Sequence, residues 1–227
     1  MVAALLEIHR RIVRGPARAG VIRAAQPARR RCVLEENLVG RVRSIYPDRR
    51  KVPQSAQFAM IIDNVSRDDL VSTLGTAWQG VSDRVMGGVS RETLRVDEQS
   101  GKRCLRLSGD VRLDNNGGFI QMGLDLEPGS GLLDASPFIG LRLVVYGNGE
   151  RYSVHLRTAD VVRPWQSYRA HFAAPPEWRE VRLPFAEFTP YRLEAPLDLA
   201  SLRRIGVVAI GRKFFADLCV AEIAFYA

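Results

Sequence analysis

The sequence predicts an all-β protein, an antiparallel jelly-roll β-sandwich with one short helix, which follows a basic N-terminal leader. Three observations support this fold class. From residue 60 onward, apolar residues recur at every second position in several short segments. Turn-forming stretches such as "EPGSG" and "YGNGE" separate these segments, and strands do not alternate with helices as they do in parallel α/β folds. We therefore expect roughly nine or ten antiparallel strands in one folded domain, residues 58–227.

Three segments show the two-residue period most clearly: "CLRLSGDVRL", "FIQMGLDL" and "YSVHLRT". In a strand that is buried on one face, alternate side chains point to the core. The expected inward residues are Leu105, Leu107, Gly109, Val111 and Leu113 in the first segment, Ile120, Met122, Leu124 and Leu126 in the second, and Tyr152, Val154 and Leu156 in the third.

A single helical signal occurs before these strands, in "SRDDLVSTLG". Ser66 and Asp69 have the spacing of a capping box, and Gly75 is a residue type that commonly ends helices. The sequence therefore predicts a short helix over residues 66–75.

Two glycine doublets interrupt the strand pattern, Gly87/Gly88 in "WQGVSDRVMGGVS" and Gly117/Gly118 in "LDNNGGFIQM". A phosphate-binding glycine loop requires a strand before it and a helix after it, whereas both doublets run into predicted strands. A nucleotide site is therefore not expected here. Two interpretations remain: bulges that curve the sheet, or a ligand or partner that lies against exposed backbone.

A second candidate site lies on the predicted strand "RYSVHLRT", where the alternation places His155 and Arg157 on the face opposite the core. Trp165 and Tyr168 follow in "RPWQSYRAHF". Such a face could hold a planar or anionic group through stacking and bidentate hydrogen bonds. In the alternative interpretation, Trp165 and Tyr168 cap the edge of the sandwich and Arg157 is solvated.

The sequence offers few residues for catalysis. The domain has two histidines, His155 and His171, and neither lies near a serine, cysteine or acid at a spacing that indicates a catalytic triad. No pair of carboxylates can be nominated for sugar hydrolysis. The segment 114–116 (Asp-Asn-Asn) could bind a structural calcium ion or form an ordinary Asx turn. We expect a protein without enzymatic activity, with no cofactor and no catalytic metal.

Positive charge is concentrated at the N terminus. The 227-residue chain contains 33 Lys plus Arg and 25 Asp plus Glu, a net charge of +8. Residues 1–55 contain 13 basic and 4 acidic groups, so residues 56–227 contain 20 and 21. The predicted domain is therefore nearly neutral, which argues against a nucleic-acid-binding face on it.

Residues 1–55 lack a two-residue period, and we expect them to be disordered. Their Ala/Arg/Pro-rich composition is typical of coding sequence read upstream of a true start, for which Met60 is a candidate. An apolar stripe beside Arg10, Arg11 and Arg14 resembles a mitochondrial presequence instead. A basic arm for nucleic acid or anionic lipid is the third interpretation.

Two further features bear on location. No run of about 18 apolar residues occurs, so the sequence predicts no membrane-spanning helix. The three cysteines, Cys32, Cys104 and Cys219, are far apart and fit neither a disulfide framework nor a zinc site. They indicate a reducing compartment.

Five segments together resemble one known family. They are "WQGVSDRVMGGVS", "NNGGFIQM", "YSVHLRT", "RPWQSYRAHF" and "WREVRLPFAEFTPY", and they extend from about Met60 to Tyr226. In this order they resemble the NADH:ubiquinone oxidoreductase complex I intermediate-associated protein 30 family. Arg84 is a minor departure, since a small or polar residue is expected at its position.

The resemblance implies a galactose-binding-domain-like β-sandwich, akin to carbohydrate-binding modules. It also implies a chaperone-like factor that binds an early membrane-arm intermediate of respiratory complex I. The motif positions that carry over to this sequence are Trp78, Asp83, Met86, Gly87, Gly88, Ser90, Gly117, Gly118, Phe119, Arg157, Trp165 and Tyr168.

We therefore expect a non-enzymatic assembly factor whose partners are protein subunits of a complex I intermediate, with no nucleic acid and with membrane contact only through the partner. The expected docking surface is the face that carries Arg157, Trp165 and Tyr168, bordered by the loop 83–90. The expected location is the cytoplasm, at the periphery of the inner membrane, or the mitochondrion if the leader is a presequence. The alternative is a carbohydrate-binding-module-like domain that binds a glycan or small ligand on its sheet face.

Overall fold

The computed structural model describes residues 59–227, and the predicted leader, residues 1–55, lies outside them. Within the described residues the strands are β1 (Ala59–Asp63), β2 (Gln79–Ser82), β3 (Arg91–Gln99), β4 (Lys102–Val111), β5 (Phe119–Asp125), β6 (Gly140–Gly147), β7 (Arg151–Thr158), β8 (Ser167–Ala173), β9 (Arg179–Pro184), β10 (Thr189–Tyr191), β11 (Leu202–Ile210) and β12 (Phe214–Tyr226). Short 3₁₀ turns comprise Asp83–Met86, Asp114–Asn116, Pro128–Ser130, Phe185–Glu187 and Leu199–Ser201. No helix in this part of the chain has the length and apolar character needed to cross a membrane.

The strands form two six-stranded sheets with antiparallel pairing. The first sheet has the order β3-β4-β12-β6-β9, with β1 also paired to β12, and the second has the order β10-β8-β7-β11-β5-β2. This arrangement confirms the predicted antiparallel sandwich. The strand number exceeds the expected nine or ten partly because β2 and β10, at the edges of the second sheet, have only four and three residues. Strands this short show no recognisable period.

The inner faces of the two sheets share one hydrophobic core. The predicted inward residues of β5 and β7 are buried, as are Leu105, Leu107 and Val111 of β4. Leu113 is an exception, because β4 ends at Val111 and the Leu113 side chain is exposed. The alternation in the sequence does not mark where β4 ends.

The predicted helix over residues 66–75 is wrong. Val65 adopts a left-handed conformation with φ of 50°, and Val71 pairs with Ala77 in an isolated antiparallel bridge. The Asp69 carboxylate accepts a hydrogen bond from the Val71 amide at 3.1 Å and pairs with Arg67. Local bonds of this kind offer the backbone an alternative to a helix. The capping-box spacing here belongs to a turn.

The pairing of β11 with β5 and β7 shows which residues lie at each end of the second sheet. At one end Ile210 pairs with Phe119, and towards the other end Arg204 pairs with both Asp125 and Arg157. The six residue-to-residue steps from Arg204 to Ile210 span roughly 20 Å at the usual rise of a strand. Groups near Phe119 and groups near Arg157 are therefore separated by most of the length of the sheet.

Candidate functional site

The loop between β2 and β3 surrounds the carboxylate of Asp83, which is fully buried. The Ser90 amide donates a hydrogen bond to Oδ1 at 2.9 Å. Oδ2 accepts bonds from the Ser90 hydroxyl at 2.5 Å, the Gly118 amide at 2.5 Å and the Phe119 amide at 3.3 Å. Because these donors come from two separate loops, Asp83 connects the β2–β3 loop to the start of β5.

These donors also determine the ionisation of Asp83. Burial by itself would raise the pKa of the carboxyl, but the hydrogen bonds from Ser90, Gly118 and Phe119 lower the pKa below its ordinary value. Within the described residues these partners are neutral. Asp83 is therefore an ionised, buried group that backbone amides and a hydroxyl stabilise.

This carboxylate explains the glycine doublets. A Cβ on Gly88 would lie 2.8 Å from Asp83 Cβ, and a Cβ on Gly117 would lie 2.8 Å from Asp83 Cγ. Gly87 and Gly118 have φ values of 89° and 132°, which other residues rarely adopt. Both doublets lie in loops between strands, so the bulge interpretation is wrong. The group that comes close to the glycine backbone is a side chain of the same chain.

Two exposed apolar side chains follow the buried carboxylate in the same turn. Val85 and Met86 project from the 3₁₀ turn, and 72% and 58% of their surfaces are exposed. The Asn115 side-chain amide donates to the Gly87 carbonyl at 3.3 Å, which connects the two loops a second time. We use the term loop end for the region formed by these loops and the adjoining start of β12. Its exposed apolar residues are Val85, Met86, Val89, Leu113 and Phe215.

An open depression of about 560 Å³ borders the loop end. Its lining is mostly polar and comprises Val89, Arg91, Asp110, Arg112, Asp114 and Asn115. The loop end therefore combines exposed apolar side chains with a charged border.

Within the described residues, no group of three or more His, Cys, Asp or Glu side chains is placed to hold a metal ion. In the segment proposed for calcium, the Asp114 carboxylate pairs with Arg112 Nε at 3.0 Å. Asn115 uses its side-chain amide to bind Gly87. The segment forms a 3₁₀ turn whose polar side chains bind neighbouring protein groups.

His155 and Arg157 lie on the outer face of the second sheet, as predicted. His155 pairs with Arg169 of β8 and with Gly206 of β11, and Arg157 pairs with Arg204. We use the term arginine face for the outer surface that carries His155, Arg157, Arg169 and Arg204.

The three guanidinium groups of the arginine face are held in place by different contacts. Arg204 lies flat against Gly123, where a Cβ would come within 2.9 Å of Nη2, and it binds Asp125 at 3.0 Å. Arg169 stacks on the Tyr191 ring, 3.5 Å from the ring centroid. Arg157 donates to the Pro164 carbonyl. A glycine and an aromatic ring therefore orient two of these cations.

The arginine face is electrostatically positive. Burial, and then the charges of Arg169, His171 and Arg157, lower the pKa of His155 to about 3. Burial and neighbouring arginines also lower the pKa of Arg157. In the described part of the chain Arg204 pairs with Asp125, whereas neither Arg157 nor Arg169 forms an ion pair. His155 is therefore neutral at physiological pH, and the cationic charge is carried by the arginines.

The structure separates the two predicted aromatic residues of this face. Trp165 is half-exposed, with the Arg163 guanidinium 5.9 Å from its ring centroid. Tyr168 is completely buried on the inner face, and its hydroxyl donates to the carbonyls of Ala195 and Pro196. Tyr168 is therefore not on the predicted face.

Trp78, another motif position, also lies in the core. Its indole donates to Asp63 at 2.7 Å, and only 2% of its surface is exposed. Neither Trp78 nor Tyr168 can contact a partner without unfolding of the surrounding core.

The predicted docking surface therefore divides into two regions. Asp83, Met86, Gly87, Gly88, Ser90, Gly117, Gly118 and Phe119 gather at the loop end, whereas His155, Arg157 and Trp165 lie on or beside the arginine face. The separation of roughly 20 Å along the strands excludes one continuous small-ligand site. The prediction that the loop 83–90 borders the face of Arg157 is wrong.

Three residues of the arginine face and its border were not identified from the sequence: Arg169, Arg204 and Tyr191. The alternation in "SYRAHF" puts Arg169 opposite to Tyr168 and would have identified it as a surface residue. No local pattern identifies Arg204 or Tyr191, because only strand pairing brings β11 and β10 to β7 and β8.

Comparisons with known proteins add to this geometry. A family model described as "Complex I intermediate-associated protein 30 (CIA30)" matches residues 70–216. No curated protein matches the chain.

Among solved structures, the chain is similar to the family 11 carbohydrate-binding module of the cellulosomal cellulase Lic26A-Cel5E of Clostridium thermocellum. The TM-score is 0.57 and the sequence identity is 14%, and the match covers 75% of this chain and 95% of that module. The family 30 module of the cellulase Cel9D-Cel44B of the same organism has a TM-score of 0.54 and 17% identity, over 74% and 96%. A family 11 module from Clostridium thermocellum in complex with a β-1,3-1,4-mixed-linked tetrasaccharide has a TM-score of 0.55 and 13% identity, over 74% and 94%. At these identities the likeness shows the fold alone, and it confirms the expected galactose-binding-domain-like sandwich.

Proposed function

Because the chain belongs to the complex I intermediate-associated protein 30 family, we propose that it is a non-enzymatic, chaperone-like assembly factor for respiratory complex I. Its partners are protein subunits of an assembly intermediate, and it meets the membrane through them. It acts in the cytoplasm at the inner membrane of a bacterial cell, or in the mitochondrion if residues 1–55 include a presequence. It uses no cofactor.

The observation that carries this proposal is the set of exposed apolar side chains at the loop end. Val85 and Met86 are adjacent and largely exposed, and Leu113 and Phe215 are at least half exposed. Large contiguous apolar patches on a protein surface usually mark interaction sites. Methionine is enriched in interfaces and adapts its shape to a partner. We assign the loop end as the surface that contacts the intermediate.

The buried carboxylate of Asp83 supports this assignment. It binds donors from the β2–β3 loop and from the start of β5, so the turn that carries Val85 and Met86 is fixed before any partner arrives. A surface that is already ordered loses less conformational entropy on binding. Asp83, Ser90, Gly88, Gly117 and Gly118 therefore support the binding surface, and Met86 contacts the partner.

The test is complementation of a strain that lacks the gene, with complex I content and NADH oxidation measured in its membranes. The double variant Val85→Ser/Met86→Ser should lower both, by about tenfold if each side chain contributes about 0.7 kcal/mol or more to binding. Ile139→Ser is the matched control, because Ile139 is equally exposed but lies at the opposite end of the sandwich, beside Tyr226. Full restoration by the folded double variant would contradict the proposal.

The alternative function is glycan binding on the outer face of the second sheet. One observation favours it: the exposed rings of Trp165 and Tyr191 lie beside hydrogen-bonding side chains on this face. Aromatic rings of this kind can stack on sugars. Titration with the β-1,3-1,4-mixed-linked tetrasaccharide tests it, since binding that Trp165→Ala abolishes would establish a glycan site, and no heat of binding at millimolar sugar would exclude this glycan.

A further inference from the structure

The outer faces of the two sheets differ in how their arginines are neutralised. On the first sheet, Arg106 binds Asp217 at 2.6 Å and Asp97 at 3.3 Å. Arg142 pairs with Glu180 and Glu222 on the same face. Each of these two arginines thus has two carboxylates of the domain itself as partners.

Among the residues that the structure describes, the arginine face of the second sheet lacks such compensation. Its carboxylate, Asp125, is used by Arg204, while Arg157 and Arg169 bind carbonyl and hydroxyl oxygens of Pro164, Ser167 and Trp165. These two cations are also partly desolvated, since burial lowers the pKa of each. Residues 56–227 have nearly equal numbers of basic and acidic groups, so this positive face reflects the arrangement of charge, not an excess of it.

The spacing of the guanidinium groups suits an extended chain. Arg169 pairs with His155, two residues along β7 from Arg157, so the two arginines are diagonal neighbours with Cα atoms about 7–8 Å apart. Alternate side chains on one face of an extended peptide are about 7 Å apart. Two carboxylates at positions i and i+2 of an extended segment can therefore reach Arg157 and Arg169 together, and the planar guanidinium group matches a carboxylate through two parallel hydrogen bonds.

We propose that the arginine face binds an acidic, extended polypeptide segment through carboxylates seated on Arg157 and Arg169, beside the exposed rings of Trp165 and Tyr191. Charge complementarity selects this occupant. A neutral glycan leaves two desolvated cations without a counter-charge. A nucleic acid requires a long basic stripe, whereas the cluster covers two or three strands.

This site is separate from the loop end and does not depend on the proposed role in complex I assembly. The double variant Val85→Ser/Met86→Ser should leave peptide binding unchanged. Failure of one proposal can therefore be distinguished from failure of the other.

The experiment uses the full chain and a peptide in which Glu alternates with Thr over eight residues, with the Gln/Thr peptide as its uncharged counterpart. We expect the Glu peptide to bind at low salt at least tenfold more tightly than the Gln peptide, and Arg157→Gln/Arg169→Gln to weaken binding at least tenfold. Arg95→Gln/Arg103→Gln is the matched control, because it removes two exposed, paired arginines from the strands of the first sheet. It should not change the affinity.

A second variant keeps every charge. Gly123→Ala places a methyl group where the Arg204 guanidinium lies, so it should displace that flexible group and weaken peptide binding severalfold in a folded protein. Bound carboxylates should also raise the pKa of His171, which lies on the same outer face and whose pKa is lowered by burial and by Arg151 and Arg169. Nuclear magnetic resonance titration with and without peptide measures this shift.

The outcomes that overturn the proposal are distinct. They are equal affinity for the Glu and Gln peptides, an equal loss in the Arg95→Gln/Arg103→Gln control, or tighter binding of the mixed-linked tetrasaccharide or of a polyphosphate than of the Glu peptide. Unchanged affinity in Arg157→Gln/Arg169→Gln would also overturn it.

Discussion

The loop end and the arginine face distribute charged and apolar groups in opposite ways. At the loop end the carboxylate of Asp83 is buried and hydrogen-bonded, and apolar side chains are exposed beside a charged border. On the arginine face, cations approach the surface and the apolar contributions come from the rings of Trp165 and Tyr191. The first arrangement suits a protein surface with its own apolar patch, and the second suits an anionic ligand.

The comparison also separates motif residues from contact residues. The family-like motif at the loop end consists mostly of residues that hold or make room for one carboxylate, such as Ser90, Gly88 and Gly117. Of the exposed apolar side chains here, Met86 is a motif position, whereas Val85 and Leu113 lie outside the motif. Most residues of this motif therefore position the surface loops, and few of them form the exposed surface.

The largest expected effect comes from Asp83→Ala. The variant leaves the Ser90, Gly118 and Phe119 amides without their acceptor, and each unsatisfied buried group costs about 1–3 kcal/mol. We expect a loss of about 3–5 kcal/mol, or roughly 6–20 °C in the midpoint of thermal unfolding.

Asp114→Ala is the control for this measurement, because Asp114 is exposed in the neighbouring turn and pairs with the exposed Arg112. It should change stability by less than about 1 kcal/mol. Equal midpoints for the two variants would show that the Asp83 carboxylate does not support the loop end.

The sandwich could be predicted from the sequence because a strand that is buried on one face shows a two-residue hydrophobic period within its own residues. The alternation in β5 and β7 gave the inward residues correctly. It also placed His155 and Arg157 on the outer face. Leu113 was misplaced because nothing in the alternation marks where β4 ends.

The site was harder to predict than the fold, for a physical reason. The contact between the two glycine doublets through Asp83 joins residues that are 35 positions apart, and periodicity carries no information about such contacts. The same holds for Arg204, which meets Arg157 only through the pairing of β7 with β11. The false helix at 66–75 arose from a spacing shared by capping boxes and Asx turns.

Gly117 and Gly123 both have ordinary φ values, and at each of them an added Cβ would meet a charged side chain. A Cβ on Gly117 would meet the fixed carboxylate of Asp83, whereas a Cβ on Gly123 would meet the movable end of Arg204. Gly117→Ala should therefore cost about 1–3 kcal/mol, as overpacking of a rigid site does. Gly123→Ala should cost less than about 1 kcal/mol. Denaturant unfolding of the two variants measures the difference, and a reversed order would contradict the assignment of Asp83 as the rigid group.

The ionisation of Asp83 gives a smaller effect that depends on pH. Its pKa is lowered in the folded protein, so its ionised form stabilises the fold above the ordinary pKa of about 3.9, and this contribution is lost as the pH falls through the lower folded value. Asp83→Asn cannot titrate. The difference in unfolding free energy between the natural protein and Asp83→Asn should therefore be constant above about pH 5 and decrease below about pH 4. A difference that grows on acidification would contradict the lowered pKa.

The smallest expected change in stability comes from replacing one arginine on the outer face of each sheet. Arg106 has two carboxylate partners on the first sheet, so Arg106→Gln should cost about 1–2 kcal/mol by leaving Asp217 and Asp97 less compensated. Arg157 has neighbouring cations, which together with burial lower its pKa, so its charge is already disfavoured in the folded state. Arg157→Gln should change stability by less than about 0.5 kcal/mol, because relief of repulsion offsets the lost bond to Pro164. Thermal unfolding at low and at high salt measures both variants, and salt should reduce the cost of Arg106→Gln. A large loss in Arg157→Gln alone would mean that this cation stabilises the fold, which would remove the reason to expect an external carboxylate.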